Sequence, residues 1–282
     1  MAARILDGRA LAAELRDGLA RRVSVLRARG VAPKLLVVMV GEDESSLAYV
    51  RGMRSLGARI GVDVDVDVLP RAIDDDGVRA ALTRADADPN VHGIILQQPL
   101  PHHLHVRAIA DAMPERKDVD ATNPVNQGRL AFATGARFIP ATPAAVILLL
   151  ERSAMWPLSG RDVTVIGRSN VVGLPVSLLI MARNATVTVA HKETRGIRDH
   201  VRRADVVVVA AGAPHLVDGS WLRPGATVID VGTTVVDGKL LGDVDFANAA
   251  EVAGEITPVP GGVGPVTNVA LMRNVVSAAE DA

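Results

Sequence analysis

Two glycines follow an apolar strand pattern at a spacing suited to phosphate binding. In VTVIGRSNVVGLP, Gly167 comes directly after the strand pattern and Gly173 stands where a helix should begin. Backbone N–H groups at such a strand-to-helix turn can bind a phosphate group. The spacing is G-x5-G, which differs from the usual G-x-G-x-x-G fingerprint. A tight turn without a ligand is therefore the alternative to a dinucleotide site.

Basic residues near this turn indicate which dinucleotide would bind. At the end of the next strand pattern, an NAD site usually offers Asp or Glu to the ribose 2′-hydroxyl. This chain has His191 and Lys192 there instead. Lys192 and Arg168 together would suit a 2′-phosphate, so we predict NADP as the cofactor. Glu193 argues against that choice, and the alternative is that both cations are solvated surface charges.

Polar residues also follow a strand pattern in the first half of the chain. Gln97 and Gln98 end the apolar run GIILQQPLP, and ligand groups are common where a parallel strand ends. The segment KDVDATNPVNQG then places Asp118 and Asp120 close to Asn126 in a loop. Carboxylates and amides in a loop indicate function more strongly than charges on a helix face do. This loop is therefore a second candidate site.

Two other clusters have residue types that bind metals. The segment VDVDVDV (62–68) alternates as a strand with one solvated face does, which accounts for Asp63, Asp65 and Asp67. The segment PHHLH (101–105) has no acidic or cysteine residue at ligand spacing. We therefore expect no metal site.

The composition limits the classes of function. The 282 residues suffice for about two domains. With 31 Lys and Arg against 32 Asp and Glu, the formal net charge is −1, which favours neither nucleic acid nor an anionic membrane as a partner. The absence of cysteine excludes disulfides and thiolate chemistry. The chain shows neither a signal-peptide core nor a membrane-span pattern, so we expect a cytoplasmic protein.

Alternating strand and helix patterns must position these residues. The apolar spacing from Leu11 predicts a first helix, with Asp7 as its N-cap and Gly30 as its end. The later strand patterns are 34–41, 62–68, 93–98, 163–167, 186–190, 205–212 and 227–232, and the main helical patterns are 45–61, 74–86, 105–112 and 143–153. Such alternation predicts an α/β fold with parallel sheets, and the second series predicts a doubly wound nucleotide-binding domain.

Ordered segments along nearly the whole chain resemble the bifunctional methylenetetrahydrofolate dehydrogenase/cyclohydrolase (FolD) family. These segments are ILDG, AYV, QQPLP, KDVDA, PATP, VIGRSNVVGLP, IDVGTT, GDVDF and TPVPGGVGP. The resemblance implies two α/β domains, an N-terminal substrate domain and a Rossmann-like NADP-binding domain, with a cleft between them. It also implies oxidation of 5,10-methylenetetrahydrofolate with NADP, followed by hydrolysis of the methenyl product to 10-formyltetrahydrofolate.

The resemblance further implies domain bounds and an assembly. The expected substrate domain spans 1–120 and is completed by a C-terminal helix at 265–282. A linker region at 121–145 and the NADP-binding domain at 146–264 make up the rest. Relatives usually form homodimers through the NADP-binding domain, so a homodimer is expected here.

Specific residues take roles by the same resemblance. Tyr49 would stack on or orient the folate, Gln97 would lie in the catalytic pocket, and Asp120 would anchor the pterin ring. The residues at the family's NADP-binding positions are Gly167, Arg168, Ser169, Lys192 and Thr233, and those in its loop beside the substrate cleft are Gly262 and Pro265. Lys192 stands where relatives commonly have Ser or Thr.

One residue departs from the family at its main catalytic position. The family signature Y-V-x-x-K ends in a lysine, whereas this chain has Met53, whose thioether carries no proton and polarises no water. Arg54 lies about 100° around the helix and could supply charge but hardly a general base. Hydride transfer depends chiefly on positioning, whereas hydrolysis needs an activated water. We therefore predict a dehydrogenase with low or absent cyclohydrolase activity.

Further divergences leave two alternatives open. They are Ala121, Ala145 and the NVALM segment after Thr267. One alternative is a catalytically impaired paralogue that binds folate or NADP and regulates or pairs with a complete relative. The other is a Rossmann dehydrogenase for an unrelated small substrate.

Overall fold

The computed structural model describes residues 2–42, 44–132 and 135–282. These residues form two compact units, each made of two chain segments. Residues 1–13 and 142–267 form one, called here the six-strand unit, and residues 14–141 and 268–282 form the other, called the three-strand unit.

Strands and helices alternate through most of the chain. The strands are β1 (Arg4–Ile5), β2 (Lys34–Val40), β3 (Asp63–Leu69), β4 (Gly93–Leu96), β5 (Asp162–Ile166), β6 (Thr186–Ala190), β7 (Val206–Val209), β8 (Thr227–Asp230), β9 (Thr234–Val236), β10 (Lys239–Leu241) and β11 (Glu255–Ile256). The helices are α1 (Gly8–Ala28), α2 (Glu44–Ile60), α3 (Asp75–Ala87), α4 (Val106–Ala110), α5 (Pro124–Ala131), α6 (Ala141–Leu150), α7 (Gly173–Met181), α8 (Ile197–Arg203), α9 (Phe246–Ala249) and α10 (Val263–Glu280). No helix in the described ranges has the length and apolar character needed to cross a membrane.

The three-strand unit is built on a parallel sheet in the order β3-β2-β4. The central strand β2 is apolar and mostly buried, as expected for a parallel strand covered on both faces. On the outer strand β3, Asp63 accepts a hydrogen bond from Arg27 at 2.9 Å, and Asp65 lies 3.1 Å from the Lys34 ammonium. These aspartates therefore form ion pairs at the exposed edge of the sheet.

Two histidines of the segment 102–105, His103 and His105, also have separate partners. His103 Nε2 lies 2.8 Å from the Ile73 carbonyl oxygen, and His105 Nδ1 lies 2.8 Å from the Asp75 carboxylate. Both contacts attach this loop to the chain around the start of α3. Within the described residues, no group of three or more His, Asp or Glu side chains is arranged to hold a metal ion.

The six-strand unit contains a parallel sheet in the order β1-β11-β8-β7-β5-β6. Strands β7 and β8 are buried along their whole length. The strand order reverses at β5, because β6 pairs with one side of β5 and β7 with the other. In open parallel sheets, ligands bind beyond the carboxyl ends of the strands at such a reversal, and Gly167 follows β5 at this point.

The first residues of the chain join the six-strand unit because β1 pairs with β11. Arg4 lies opposite Glu255 and Ile5 opposite Ile256, and the Arg4 Nε donates to the Glu255 carboxylate at 2.7 Å. This grouping differs from the sequence-based boundary, which assigned residues 1–13 to the substrate domain. A two-residue strand is too short to produce a hydrophobic pattern, so its pairing is invisible in the sequence. The remaining predicted bounds stay a prediction.

The predicted elements are present, and their ends shift by a few residues. Asp7 caps α1 as predicted, because its Oδ1 accepts the N–H groups of Arg9 and Ala10 at 2.8 and 3.1 Å. Strand β4 stops before Gln97, and β7 stops before Gly212, whose φ of +64° turns the chain. The region predicted as a linker, 121–145, contains α5 and the start of α6.

A buried carboxylate stabilises the loop that begins beside β4. Asp118 is fully buried, and its Oδ1 accepts hydrogen bonds from the Thr122 backbone N–H and hydroxyl at 2.9 and 3.0 Å. Its Oδ2 accepts from the Asn123 N–H and from the Asn126 Nδ2, both at 2.8 Å. Since all these partners belong to the protein itself, Asp118 acts as a structural residue.

We expect Asp118→Ala to lower the free energy of unfolding by about 3 kcal/mol, because it leaves several buried donors without an acceptor. Urea unfolding followed by circular dichroism measures this change. Asp86→Ala removes an exposed carboxylate from the same unit and is the control, with an expected effect of about 0.5 kcal/mol or less. Equal effects of the two substitutions would contradict the structural role of Asp118.

Candidate functional site

Tyr49 and Asp120 are brought together in the three-strand unit. Tyr49 lies on α2 and Asp120 follows the Asp118 network in the chain. Burial raises the pKa of the Tyr49 hydroxyl well above its usual range, and the nearby charge of Asp120 raises it further. Tyr49 therefore stays protonated at neutral pH, and it offers a ring face and a hydrogen-bond donor rather than a base.

Asp120 combines a fixed position with an unusual proton affinity. One carboxylate oxygen accepts the backbone N–H of Ala141, the first residue of α6, at 2.8 Å. Burial raises the pKa of Asp120 to about 6, the charge of Asp118 acts in the same direction, and the Ala141 N–H opposes them. The carboxylate is therefore mostly ionised at neutral pH and takes up a proton in mild acid.

Gln97 follows the carboxyl end of β4 directly. Its backbone N–H donates to the Val38 carbonyl at 2.8 Å, and its Nε2 donates to the Gln98 carbonyl at 2.7 Å. Asp118 forms a parallel bridge with Ile94, and the chain turns directly after it, where the Ala121 N–H donates to the Asp118 carbonyl at 3.0 Å. Asp118 therefore lies beside β4, the strand that Gln97 follows in the chain.

Met53 is wholly buried within the three-strand unit. Its side chain has no exposed surface, whereas those of its neighbours on α2, Arg51 and Arg54, are exposed. Successive helix residues point about 100° apart, so Arg54 does not share the direction of Met53. The position that the resemblance assigns to a lysine therefore carries an uncharged, enclosed side chain.

A polar residue that the sequence analysis left without a role lies next to this part of α2. A Cβ atom on Gly52 would lie 3.6 Å from Asn268 Nδ2, and Asn268 Oδ1 is buried with no hydrogen-bond partner. Asn268 belongs to the NVALM segment, which stood out in the sequence only as a divergence from the family. An amide in an apolar helical run was the signal that could have identified it.

In the six-strand unit, two glycines bring backbone groups into contact at the turn after β5. Gly167 has a φ of +125°, and a Cβ atom there would lie 2.2 Å from the Ala210 carbonyl oxygen. A Cβ atom on Gly173 would lie 2.2 Å from the Gly167 carbonyl oxygen. Only glycine fits both positions. The resulting tight turn leads directly into the first turn of α7, as a phosphate-binding turn requires.

One side chain of this turn caps a helix. Two cations, one in this turn and one after β6, are exposed. Ser169 Oγ accepts the N–H groups of Val172 and Gly173 at 3.2 and 3.4 Å, so it caps the start of α7. Arg168 is exposed. The Lys192 side chain is 87% exposed, and its ammonium lies 4.0 Å from the Glu193 carboxylate, so Lys192 is held only weakly by its neighbour.

Two buried aspartates fix the loops that follow β7 and β8. Asp243 Oδ2 accepts the N–H groups of Ala211 and Gly212 at 2.6 and 2.8 Å. Asp230 Oδ1 accepts the N–H groups of Gly232 and Asp243 at 2.9 and 3.0 Å, and burial raises the pKa of Asp230 to about 6. The exposed Thr233 follows this fixed backbone directly. Neither aspartate was predicted from the sequence as a site residue, although they lie in the family segments IDVGTT and GDVDF.

Gly262 and Pro265 lie at the start of α10. Gly262 is buried, and a Cβ atom on Gly8 would lie 1.7 Å from its carbonyl oxygen. Pro265 falls in the first turn of the helix, where the missing N–H costs no helical hydrogen bond. The close backbone contact with Gly8 fixes the loop that enters α10.

Comparison with known families covers almost the whole chain. Residues 6–120 match the tetrahydrofolate dehydrogenase/cyclohydrolase catalytic domain, and residues 140–282 match the NAD(P)-binding domain of the same family. The chain belongs to the tetrahydrofolate dehydrogenase/cyclohydrolase family. This result confirms the resemblance seen in the sequence and the two-domain α/β fold class.

Individual members of this family show the same end-to-end similarity. The bifunctional protein FolD of Dechloromonas aromatica is 46% identical, with 99% of this chain and 98% of that protein covered. The crystal structure of the bifunctional enzyme FolD from Campylobacter jejuni has a TM-score of 0.96 at 35% identity, with 99% of each chain covered. A Trypanosoma brucei FolD structure, complexed with NADP cofactor and an inhibitor, has a TM-score of 0.94 at 38% identity and covers 100% of this chain and 98% of that one.

Proposed function

We propose that this protein oxidises 5,10-methylenetetrahydrofolate with NADP, and that its hydrolysis of the methenyl product is slow. In the first reaction a hydride leaves the methylene carbon between two folate nitrogens and is accepted by the nicotinamide of NADP. The products are the 5,10-methenyltetrahydrofolate cation and NADPH. The observation that carries the proposal is the proximity of Tyr49 and Asp120 in a chain that matches the family along its whole length.

Within the three-strand unit, the proposed roles follow from chemical character. An ionised Asp120 accepts hydrogen bonds from the N–H groups of a pterin. Tyr49 stays neutral and offers a ring face for stacking. Gln97, at the end of β4, adds an amide to the catalytic pocket. These groups hold and orient the folate, which is the main requirement of hydride transfer.

The residues of the six-strand unit fit NADP. The Gly167 and Gly173 turn is tight, because a Cβ atom at either position would collide with the protein backbone, and α7 begins there. Arg168 and Lys192 are the exposed cations proposed for the 2′-phosphate, and Ser169 and Thr233 are proposed as further contacts. Gly262 and Pro265 are proposed to line the folate site.

Met53 is the reason for the proposed loss of the second reaction. The relatives named above are bifunctional, so hydrolysis of the methenyl cation is the second reaction of the family. That step needs an activated water and a group that manages protons. Met53 is buried and carries no proton, and Arg54 is exposed on another side of α2.

The family resemblance also supports a homodimer in the cytoplasm as part of the proposal. The hairpin of β9 and β10 has exposed apolar residues, among them Val235, which is 63% exposed. An exposed apolar hairpin is suited to pairing with a second copy.

Separate assays of the two reactions test the proposed function. We expect NADPH formation from 5,10-methylenetetrahydrofolate and NADP, and decay of methenyltetrahydrofolate near its spontaneous rate. Met53→Lys should accelerate that decay by about 10-fold or more, because general acid–base groups contribute at least that much. Met53→Leu, which keeps an apolar side chain, is the control. Rapid hydrolysis by the unaltered protein would contradict the role given to Met53, and absence of NADPH formation would contradict the proposed function.

The raised pKa of Asp120 predicts a pH dependence of folate affinity. Its carboxylate binds pterin donors only when ionised, so affinity falls as pH drops through about 6. The Kd for tetrahydrofolate should rise about 4-fold between pH 7.5 and 5.5. Asp120→Asn should bind weakly and lose this dependence, whereas Asp86→Asn should keep it. Calorimetric titration at several pH values measures both, and an unchanged dependence in Asp120→Asn would rule out this role.

Arg168 is expected to select NADP over NAD. Arg168→Ala should raise the KM for NADP about 10-fold while leaving the KM for NAD unchanged, since only NADP carries the 2′-phosphate. Lys239→Ala removes an exposed cation from β10 and serves as the control. Equal changes in both KM values would show that Arg168 does not read the phosphate.

A further inference from the structure

The two asparagines of α10 that belong to the three-strand unit differ in how their amides are used. Asn274 is buried, and its Nδ2 donates to the carbonyl oxygens of Val119 and Ile139, both at 2.8 Å. Asn268 Oδ1 is buried without a hydrogen-bond partner. Asn274 therefore attaches the helix to the segments around it. Asn268 Oδ1 makes no hydrogen bond of this kind.

A buried acceptor without a partner is unfavourable in the free protein. A polar atom removed from water without a replacement hydrogen bond loses free energy, and most buried polar atoms in folded proteins are paired. An apolar side chain would avoid that cost at this position. An asparagine here is explained if a ligand supplies the missing donor.

Asn268 lies beside the helix that carries Tyr49. Its Nδ2 lies against Gly52, and Gly52 follows Tyr49 by three residues, which places both on one face of α2. Tyr49 is in turn close to Asp120. Next to Gly52, Met53 is buried and uncharged. Asn268 is therefore a polar group beside this part of the proposed folate site.

We infer that Asn268 is a specificity-determining residue that binds the folate substrate through its carboxamide, with Oδ1 accepting a hydrogen bond from the reduced pterin. This inference rests on the proposed function. The Asn268 side chain is half-buried, so part of it is accessible to a ligand. Reduced pterins carry several N–H donors, and an amide oxygen is a neutral acceptor that adds to the charged acceptor of Asp120.

Substitutions at Asn268 should separate ligand binding from folding. In Asn268→Ala, the Kd for tetrahydrofolate and the KM for methylenetetrahydrofolate should rise about 3- to 15-fold, the effect of one lost hydrogen bond. The KM for NADP should not change. The Tm should stay the same or rise, because the substitution removes an unsatisfied polar atom. Asn268→Val, which fills more of the space without polar atoms, should give the same pattern.

Two further variants provide the comparison. Asn274→Ala removes the structural amide, so its Tm should fall. Asn248→Ala alters an exposed asparagine of the six-strand unit and should change none of these quantities. Calorimetry with tetrahydrofolate, steady-state kinetics and thermal unfolding of the full-length protein give all the readouts.

The outcomes distinguish this inference from the proposed function. If the unaltered protein binds tetrahydrofolate and forms NADPH while Asn268→Ala binds folate equally well, the inference alone is overturned. It is also overturned if Asn268→Ala lowers the Tm and weakens NADP binding together, because that pattern indicates a structural role. If the unaltered protein neither binds tetrahydrofolate nor forms NADPH, the proposed function fails and the inference fails with it.

Discussion

The candidate folate site depends on the burial of one negative charge. Removing the Asp118 carboxylate from water is unfavourable unless hydrogen bonds replace the lost hydration. The following residues provide them from two backbone N–H groups, a hydroxyl and a side-chain amide. These bonds fix the course of the chain between β4 and α5. As a result Asp120, two residues further on, is held next to Tyr49 rather than in a loose loop.

The six-strand unit has the same kind of interaction at the loops proposed for the nucleotide. Asp230 and Asp243 are buried and accept backbone N–H groups from the ends of strands that would otherwise lead into open loops. Binding loops need a defined shape before the ligand arrives, because ordering them on binding weakens affinity. In both units, buried carboxylates accept hydrogen bonds that fix the segments proposed as binding sites.

Much of the architecture could be predicted from the sequence, for identifiable reasons. Runs such as DVVVVAAG and KLLVVMV are too apolar for any position except a covered parallel strand, so the type of each element follows from local pattern. Long-range pairing does not. The contact between β1 and β11 joins Arg4 to Glu255, and nothing near either residue indicates it. The different roles of Asp118 and Asp120 could not be predicted from the sequence either. Two aspartates in one loop are distinguished only by the groups they contact in the folded protein. The unsatisfied amide of Asn268 depends on its packing against α2, which local sequence does not encode.

The pairing of β1 with β11 has a consequence for the order in which the protein can form during synthesis. Each unit combines an early segment of the chain with a late one, since residues 1–13 pack with 142–267 and residues 14–141 with 268–282. Neither unit can acquire all of its contacts until the ribosome has translated most of the chain, and closing loops of this length slows folding. Until then the nascent polypeptide exposes unpaired strand edges, which makes chaperone protection valuable at this stage. The topology that joins the two ends of the chain into the folded units thus makes the newly synthesised protein vulnerable to aggregation.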